Sequence, residues 1–266
     1  MGGLSVLRDL WSQLPNVNHV YVADTAFAPY GERDVAAIEA RSHVIAEYLR
    51  HHHRIDALVI ACNTATAHAI DALRARHPDL PIVGVEPALK PASGMSASGH
   101  VGVLATRGTL SSQRFERLRR QVESQSAKPL FFWPQACDGL ADAIERDSHD
   151  EVQALCQRYV ASMLEAGPQA HRIDTIVLGC THYPFAIDAL QAATQTALPE
   201  QQVLLLDTGL PVAKRARELL TPLMLPVAAH RPAAPPILLS TGNPAALSNA
   251  ARRWISSELT AFAVAI

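Results

Sequence analysis

The sequence predicts an α/β protein of two similar open parallel-sheet domains related by pseudo-two-fold symmetry, with the active site in the cleft between them. Three observations predict it. First, Ile55-Asp56-Ala57-Leu58-Val59-Ile60-Ala61-Cys62-Asn63-Thr64 returns later as Ile173-Asp174-Thr175-Ile176-Val177-Leu178-Gly179-Cys180-Thr181-His182. In each copy an Asp opens a short apolar run rich in β-branched residues, and the run stops at a cysteine, as a buried parallel strand ending at a thiol does. Second, strand-like and helix-like stretches alternate along the chain, the order that gives a parallel sheet covered by helices. Third, 266 residues with 48% hydrophobic side chains can bury the core of one large domain or of two smaller ones.

Taken in order, residues 4–14 form an amphipathic pattern and predict a helix entered directly from Met1-Gly2-Gly3. A strand over 19–25 ends in Asp24-Thr25, the loop Pro29-Tyr30-Gly31-Glu32-Arg33 follows, and a helix runs over 35–52. The first cysteine strand comes next, with a helix over 65–77 and a strand over 81–86 behind it. The second half opens with a strand over 101–106, then a helix over 111–123, a strand over 130–133 and a helix over 150–165. The second cysteine strand precedes Pro184, a residue suited to open a helix. A strand over 202–209 repeats the Asp-Thr ending at Asp207-Thr208, a helix covers 212–220, and a Pro-rich connector spans 222–236. A strand over 237–240 and a helix from Pro244 close the fold. The expected division is 1–89 plus 204–266 for a discontinuous first domain, and 90–203 for the second.

Charged residues make up 18% of the chain and its net charge is −2, so no basic excess points to nucleic acid or an anionic membrane surface. No apolar run reaches bilayer length and no signal pattern opens the chain, so a cytoplasmic location is expected. Cys62, Cys137, Cys156 and Cys180 are too few and too scattered for a disulfide framework or a zinc knuckle. Cys156 falls on the apolar face with Val152, Leu155, Tyr159, Val160 and Met163 and reads as core, and a structural role is also expected for Cys137. Cys62 and Cys180 differ because ligands of open α/β sheets bind beyond the carboxyl ends of the strands.

Two thiols at such positions suit a reaction that removes a proton from one side of an α-carbon and returns one to the other, inverting the centre. A thiol titrates close enough to neutrality to serve as base or acid, and a helix N-terminus lowers its pKa further. Free amides at the same helix ends bind carboxylates. A Cys-His hydrolase is a rival that leaves Cys62 unexplained, and zinc on Cys62, Cys180 and His182 lacks a fourth ligand. Of the acidic residues, Asp24 and Asp207 end paired strands and could line the crevice or cap turns, and Glu145 follows Cys137-Asp138-Gly139 on an expected helix. The run His51-His52-His53 suits a helix C-terminus and receives no metal role.

Gly2-Gly3-Leu4-Ser5-Val6-Leu7, Asp24-Thr25 with Pro29-Tyr30-Gly31-Glu32-Arg33, Ala61-Cys62-Asn63-Thr64-Ala65-Thr66 and Leu178-Gly179-Cys180-Thr181-His182-Tyr183-Pro184 resemble, in order and spacing, the glutamate racemases of the aspartate/glutamate racemase family. The resemblance implies a cofactor-independent isomerase with glutamate as its small-molecule substrate, supplying D-glutamate for peptidoglycan and hence cell-wall biogenesis. It implies Cys62 and Cys180 as the acid/base pair, assisted by His182 and Glu145. Asn63, Thr64, Thr181, Tyr30 and Gly31 become substrate contacts, Pro29 shapes its loop, and Thr106 and Thr109 line the side-chain pocket. No nucleic-acid or membrane partner is expected, and a homodimer is left open.

Both the repeat and the family pattern place a strand ahead of Gly2, which in the family carries an Asp-Ser-Gly motif. The sequence starts after it, giving the expectation of a natural chain that begins upstream and of weak turnover for the 266 residues alone. Racemisation of aspartate, a hydantoin or a related acid, and an idle relative kept for binding a partner, are the other readings.

Overall fold

The computed structural model describes residues 1–221 and 234–266. The chain divides into two compact units, Met1–Val85 with Gly209–Ile266, and Glu86–Thr208.

In the first unit, helix α1 (Leu4–Gln13) leads to strand β1 (Val20–Ala23), a 3-10 turn at Tyr30–Glu32 and helix α2 (Val35–His53). Strand β2 (Leu58–Ile60), helix α3 (Asn63–Arg76) and strand β3 (Ile82–Gly84) follow. Alternation along β2 and β3 fixes which helices cover which face. Leu58, Ile60 and Ile82 pack with Ala46 and Leu49 of α2 and Ile70 and Leu73 of α3. Val59, Val83 and Val85 turn the other way, onto Val6 and Leu10 of α1 and Val212 and Ala216.

The second unit runs through helix α4 (Leu89–Met95), strand β4 (His100–Ala105), helices α5 (Arg107–Leu110) and α6 (Gln113–Gln125), and strand β5 (Phe131–Ala136). Helices α7 (Leu140–Glu145) and α8 (His149–Glu165), strand β6 (Thr175–Gly179), helix α9 (Ile187–Ala197) and strand β7 (Leu204–Leu206) complete it. Its four strands are parallel in the order β5-β4-β6-β7. Val101, Val103 and Val177 face Leu89, Phe115 and Val122 on one side. Gly102, on the other, lies so close to Met163 of α8 that a Cβ there would stand 2.6 Å from its sulfur. The chain then returns to the first unit as α10 (Gly209–Leu220), β8 (Ile237–Ser240), α11 (Pro244–Trp254) and β9 (Ala261–Ala263).

Several expectations need correction. Helix α4 was missed because Pro91 and Gly94 interrupt its seven residues. Strand β5 continues through Pro134 to Ala136 because it is the edge strand, where a missing N–H is tolerated. Pro184 sits inside a 3-10 turn, Tyr183–Ala186, and α9 starts after it. The fold does not close on the helix from Pro244, since β9 pairs in parallel with β8 beyond it. Three residues are too short a run for periodicity to reveal. The Asp24 and Asp207 strands are not partners: β1 pairs with β8, and β7 with β6. Of the connector over 222–236, residues 222–233 lie outside the described residues. No described helix is long and apolar enough to cross a membrane.

The two units differ in one respect. In the second, β5 and β6 both pair with β4. In the first, β1, β8 and β9 form one sheet and β2 and β3 another, and among the described residues no strand joins β1 to β2. Central strands exchange slowly because their ladders are closed on both sides. In hydrogen exchange, the amides of β2 are therefore expected to exchange faster than those of β4 by at least about tenfold, one pKa-like decade in opening equilibrium; equal protection would contradict the open sheet.

Candidate active site

Each unit carries one thiol at the carboxyl end of a strand. In the first, the β2–β3 ladder stops at Ile60 opposite Gly84. Cys62 is extended (φ −151°, ψ 123°) and caps α3, its Sγ accepting the Ala65 N–H at 3.4 Å. The thiol does the work of a Ser or Asp cap, which is why α3 begins at Asn63, before the expected Ala65. Thr66 Oγ1 donates to the Ile60 carbonyl and accepts from the Val85 N–H, fastening the ends of both strands to the same helix turn.

Asn63 and Thr64, in the first turn of α3, are each 3% exposed. Neither the amide oxygen nor the amide nitrogen of Asn63 has a hydrogen-bond partner among the described residues. Leaving such a group unsatisfied costs about 1–3 kcal/mol, so the side chain is poised for a ligand that both donates and accepts. Burial pushes the Cys62 thiol above its ordinary value, and the amide hydrogen bonds from Ala65 and Thr64 pull it back only in part. The expected lowering by the helix N-terminus is thus reversed here, because desolvation of the thiolate outweighs the dipole. The 3-10 turn places Tyr30 and Gly31 after the exposed Pro29, and the Tyr30 hydroxyl donates to Asp24 Oδ2 at 2.6 Å.

In the second unit, Ala105 and Gly179 are register partners at the ends of β4 and β6. A Cβ on Gly179 would lie 2.9 Å from that of Ala105 and 3.0 Å from the Leu104 carbonyl oxygen, so only glycine lets the two strands close up there. Thr106 and Cys180 consequently leave the sheet side by side. Thr106 caps α5, accepting the Thr109 N–H and donating to the Thr109 hydroxyl at 2.9 Å. Thr109, Thr181 and Cys180 are buried. The wholly buried Tyr183 donates to the Cys137 carbonyl and anchors the turn after Cys180.

His182 Nδ1 lies 3.5 Å from Cys180 Sγ, and its Nε2 lies 2.7 Å from Glu145 Oε1. Glu145 ends α7, which starts at Gly139 in the left-handed region (φ 77°). Its side chain is 19% exposed, so Glu145 is not the solvated surface group its helix position alone suggests. Burial opposes its charge, but the hydrogen bond from His182 prevails and its pKa is lowered. Burial also lowers the His182 pKa, against the opposing pull of Glu145. A carboxylate only accepts, so Nε2 carries the proton and donates, leaving Nδ1 as the acceptor that faces the thiol. The group is a Glu–His–Cys line able to take a proton from sulfur or return it.

The other cysteines stay out of this chemistry. Burial pushes Cys156 up to about 12 and Cys137 higher still. Among the described residues no three His, Cys, Asp or Glu side chains converge as a metal site. Asp207 follows β7 and is half-buried. Sequence reasoning missed Arg41, which is paired with Asp24 at 2.7 Å. The sign was there: Arg41 continues the buried stripe of Ile38, Ala46 and Leu49 on α2, where a cation needs a partner.

The family model for Asp/Glu/Hydantoin racemase matches residues 3–216. The chain belongs to that family. Among curated members, glutamate racemase of Pseudomonas syringae pv. tomato is 44% identical over 223 residues, 83% of this chain and 76% of that protein. Glutamate racemase of Aliarcobacter butzleri is 40% identical over 217 residues, 81% of this chain and 78% of that protein. The crystal structure of Escherichia coli glutamate racemase with L-glutamate and the activator UDP-MurNAc-ala superposes with TM-score 0.76 at 30% identity, covering 100% of this chain and 96% of that one. Glutamate racemase isoform RacE1 from Bacillus anthracis gives 0.83 at 26% identity, covering 100% and 94%. The chain is accordingly an isomerase of the racemase family.

In this family member, the lowered His182 pKa has a consequence for stability. Below the unfolded value near 6.5 the unfolded imidazole takes up a proton that the folded one declines. The contribution is therefore full above that pH and is lost as the pH falls from there through the folded value. Urea unfolding at several pH values from 5 to 7 should show stability rising with pH, with a shallower slope in His182→Gln; an unchanged slope would show that His182 titrates as an exposed imidazole does.

Proposed function

We propose that the protein racemises glutamate without a cofactor, with Cys62 and Cys180 as the two acid/base groups. The observation that carries the reading is the same construction in both units: a thiol at a strand end, followed at once by polar side chains, the buried Asn63 and Thr64 in one case and the buried Thr181 and half-buried His182 in the other. A member 44% identical is named glutamate racemase, and the Escherichia coli protein binds L-glutamate in its crystal structure.

In the proposed reaction one cysteine, as thiolate, removes the α-proton, and the electron pair left on carbon is delocalised into the adjacent carboxylate. The other cysteine, as thiol, returns a proton to the opposite face. The bond to the departing hydrogen breaks as an S–H bond forms, and the second S–H bond breaks as the new C–H bond forms. Each turnover leaves the two sulfurs with exchanged protonation, so a route for resetting is needed. His182, neutral and facing Cys180 through Nδ1, supplies it on that side, with Glu145 holding its tautomer. Asn63, Thr64 and Thr181 donate to the substrate carboxylate and accept from its ammonium group, and the first-turn amides of α3 favour an anion there. Tyr30 and Gly31 border the substrate, with Pro29 shaping their turn, and Thr106 and Thr109 receive the side chain. The product, D-glutamate, is a building block of peptidoglycan, and a cytoplasmic site of action accords with that use.

The test is Cys62→Ser and Cys180→Ser, made singly in the full-length protein, with racemisation followed by polarimetry. Each is expected to cost about 10²–10⁴ in kcat, the contribution of a positioned acid or base. Either variant retaining wild-type turnover would overturn the two-thiol reading. A panel of L-aspartate and hydantoins beside L-glutamate decides the substrate; faster turnover of either would replace glutamate in it.

A further inference from the structure

Asp24 stands at the end of β1, where an acidic residue could reach a bound substrate, yet its surroundings give it other work. An ionised carboxylate offers about four acceptor positions. Here Oδ1 accepts from Arg41 Nη2 at 2.7 Å and from Thr241 Oγ1 at 2.8 Å, and Oδ2 accepts from Arg41 Nε at 2.8 Å and from the Tyr30 hydroxyl at 2.6 Å. All four positions are filled, and the side chain is 7% exposed. No position remains to receive a proton from substrate.

The same carboxylate joins segments distant in sequence. Arg41, from α2, also donates through Nη1 to the carbonyl of Ile266 at 2.8 Å, and its guanidinium lies 4.2 Å from the centre of the Phe27 ring. Thr241, just past β8, accepts the Ala26 N–H at 3.2 Å while donating to Asp24. Thr25 and Ser240 hydroxyls meet beside them at 2.9 Å. The bidentate Arg41–Asp24 pair is fixed by the ends of β1 and β8, and the phenol of Tyr30 is attached to that fixed point. A charged, saturated and buried anchor of this kind holds geometry more strictly than the exposed turn it serves could hold itself.

We propose that Asp24 and Arg41 are positioning residues, which set the Tyr30–Gly31 turn in the orientation that receives substrate. The assignment rests on the reading that Tyr30 and Gly31 border the substrate. It places the control of substrate affinity partly in the C-terminal segment, through Thr241 and Ile266, far in sequence from either thiol.

The test compares Asp24→Asn with Tyr30→Phe in the full-length protein. Tyr30→Phe removes only the phenol link and leaves the ion pair, so it keeps the proposal testable if Asp24→Asn fails to fold. Both should raise KM for glutamate about tenfold, a typical consequence of one lost anchoring interaction, with kcat within about twofold. The double variant should be no worse than Asp24→Asn alone, and hydrogen exchange should quicken over residues 27–33 while that of α3 stays as in wild type. Uniformly faster exchange with KM unmoved would reduce the network to general stability and overturn the proposal. A fall in kcat at constant KM would make Asp24 a chemical participant and also overturn it. Wild-type protein that neither binds nor turns over glutamate would instead sink the functional reading, and the assignment of the turn with it.

Discussion

The structure depends on what happens where a buried parallel strand gives way to a helix. The ladder must end there, and the first amides of the helix are left without intrahelical partners. Cys62 meets that need directly, its sulfur taking the Ala65 N–H. Cys180 is placed by a different route, the close approach of β4 and β6 at Gly179 and Ala105. In each unit the backbone's own requirements bring a thiol and polar side chains together at the end of a strand. Chemistry that needs a proton acceptor beside an anion site requires little more than this.

The two thiols are not equivalent electrostatically. Burial disfavours the Cys62 thiolate, and the amides of the helix start recover only part of the loss. At Cys180 the neighbour is a neutral imidazole backed by an ionised carboxylate, with the proton of His182 held on the side of Glu145. The proposed reaction is reversible in character and needs both groups to act in either sense, and the proposed relay through His182 serves that end at Cys180. On the first unit's side, the buried amide of Asn63 has no partner among the described residues, and in the proposed reaction a bound carboxylate and ammonium group would satisfy it.

Much of this was legible in the sequence because it is written in short-range pattern. The repeated Asp-apolar-Cys run placed both strand ends, and the helices at 35–53 and 149–165 announced themselves by length and periodicity. What the sequence left unread were partners distant along the chain, which hid Arg41 altogether and the contact and burial of Glu145, though not Glu145 itself. Arg41 looks like one polar residue in an Ala-rich helix until Asp24 and Ile266 converge on it. Glu145 gains its partner from a loop 37 residues on. The sign of the Cys62 shift could not be read locally either, since it is a contest between helix amides, visible in sequence, and burial, which is a property of the folded unit. Strands as short as β9, and a helix such as α4 broken by Pro91 and Gly94, fall below what periodicity resolves.

In the proposed reaction two different sulfurs serve one α-carbon. Its most direct measurement is racemisation in D2O by the full-length protein, started separately from each glutamate enantiomer and sampled at low conversion. The account predicts deuterium in nearly all of the product and almost none in the remaining substrate, because the acid that delivers to one face has exchanged with solvent while the base on the other holds the abstracted hydrogen. Product that retains the substrate's own hydrogen, or deuterium appearing equally in both enantiomers from the outset, would mean a single base and would contradict it.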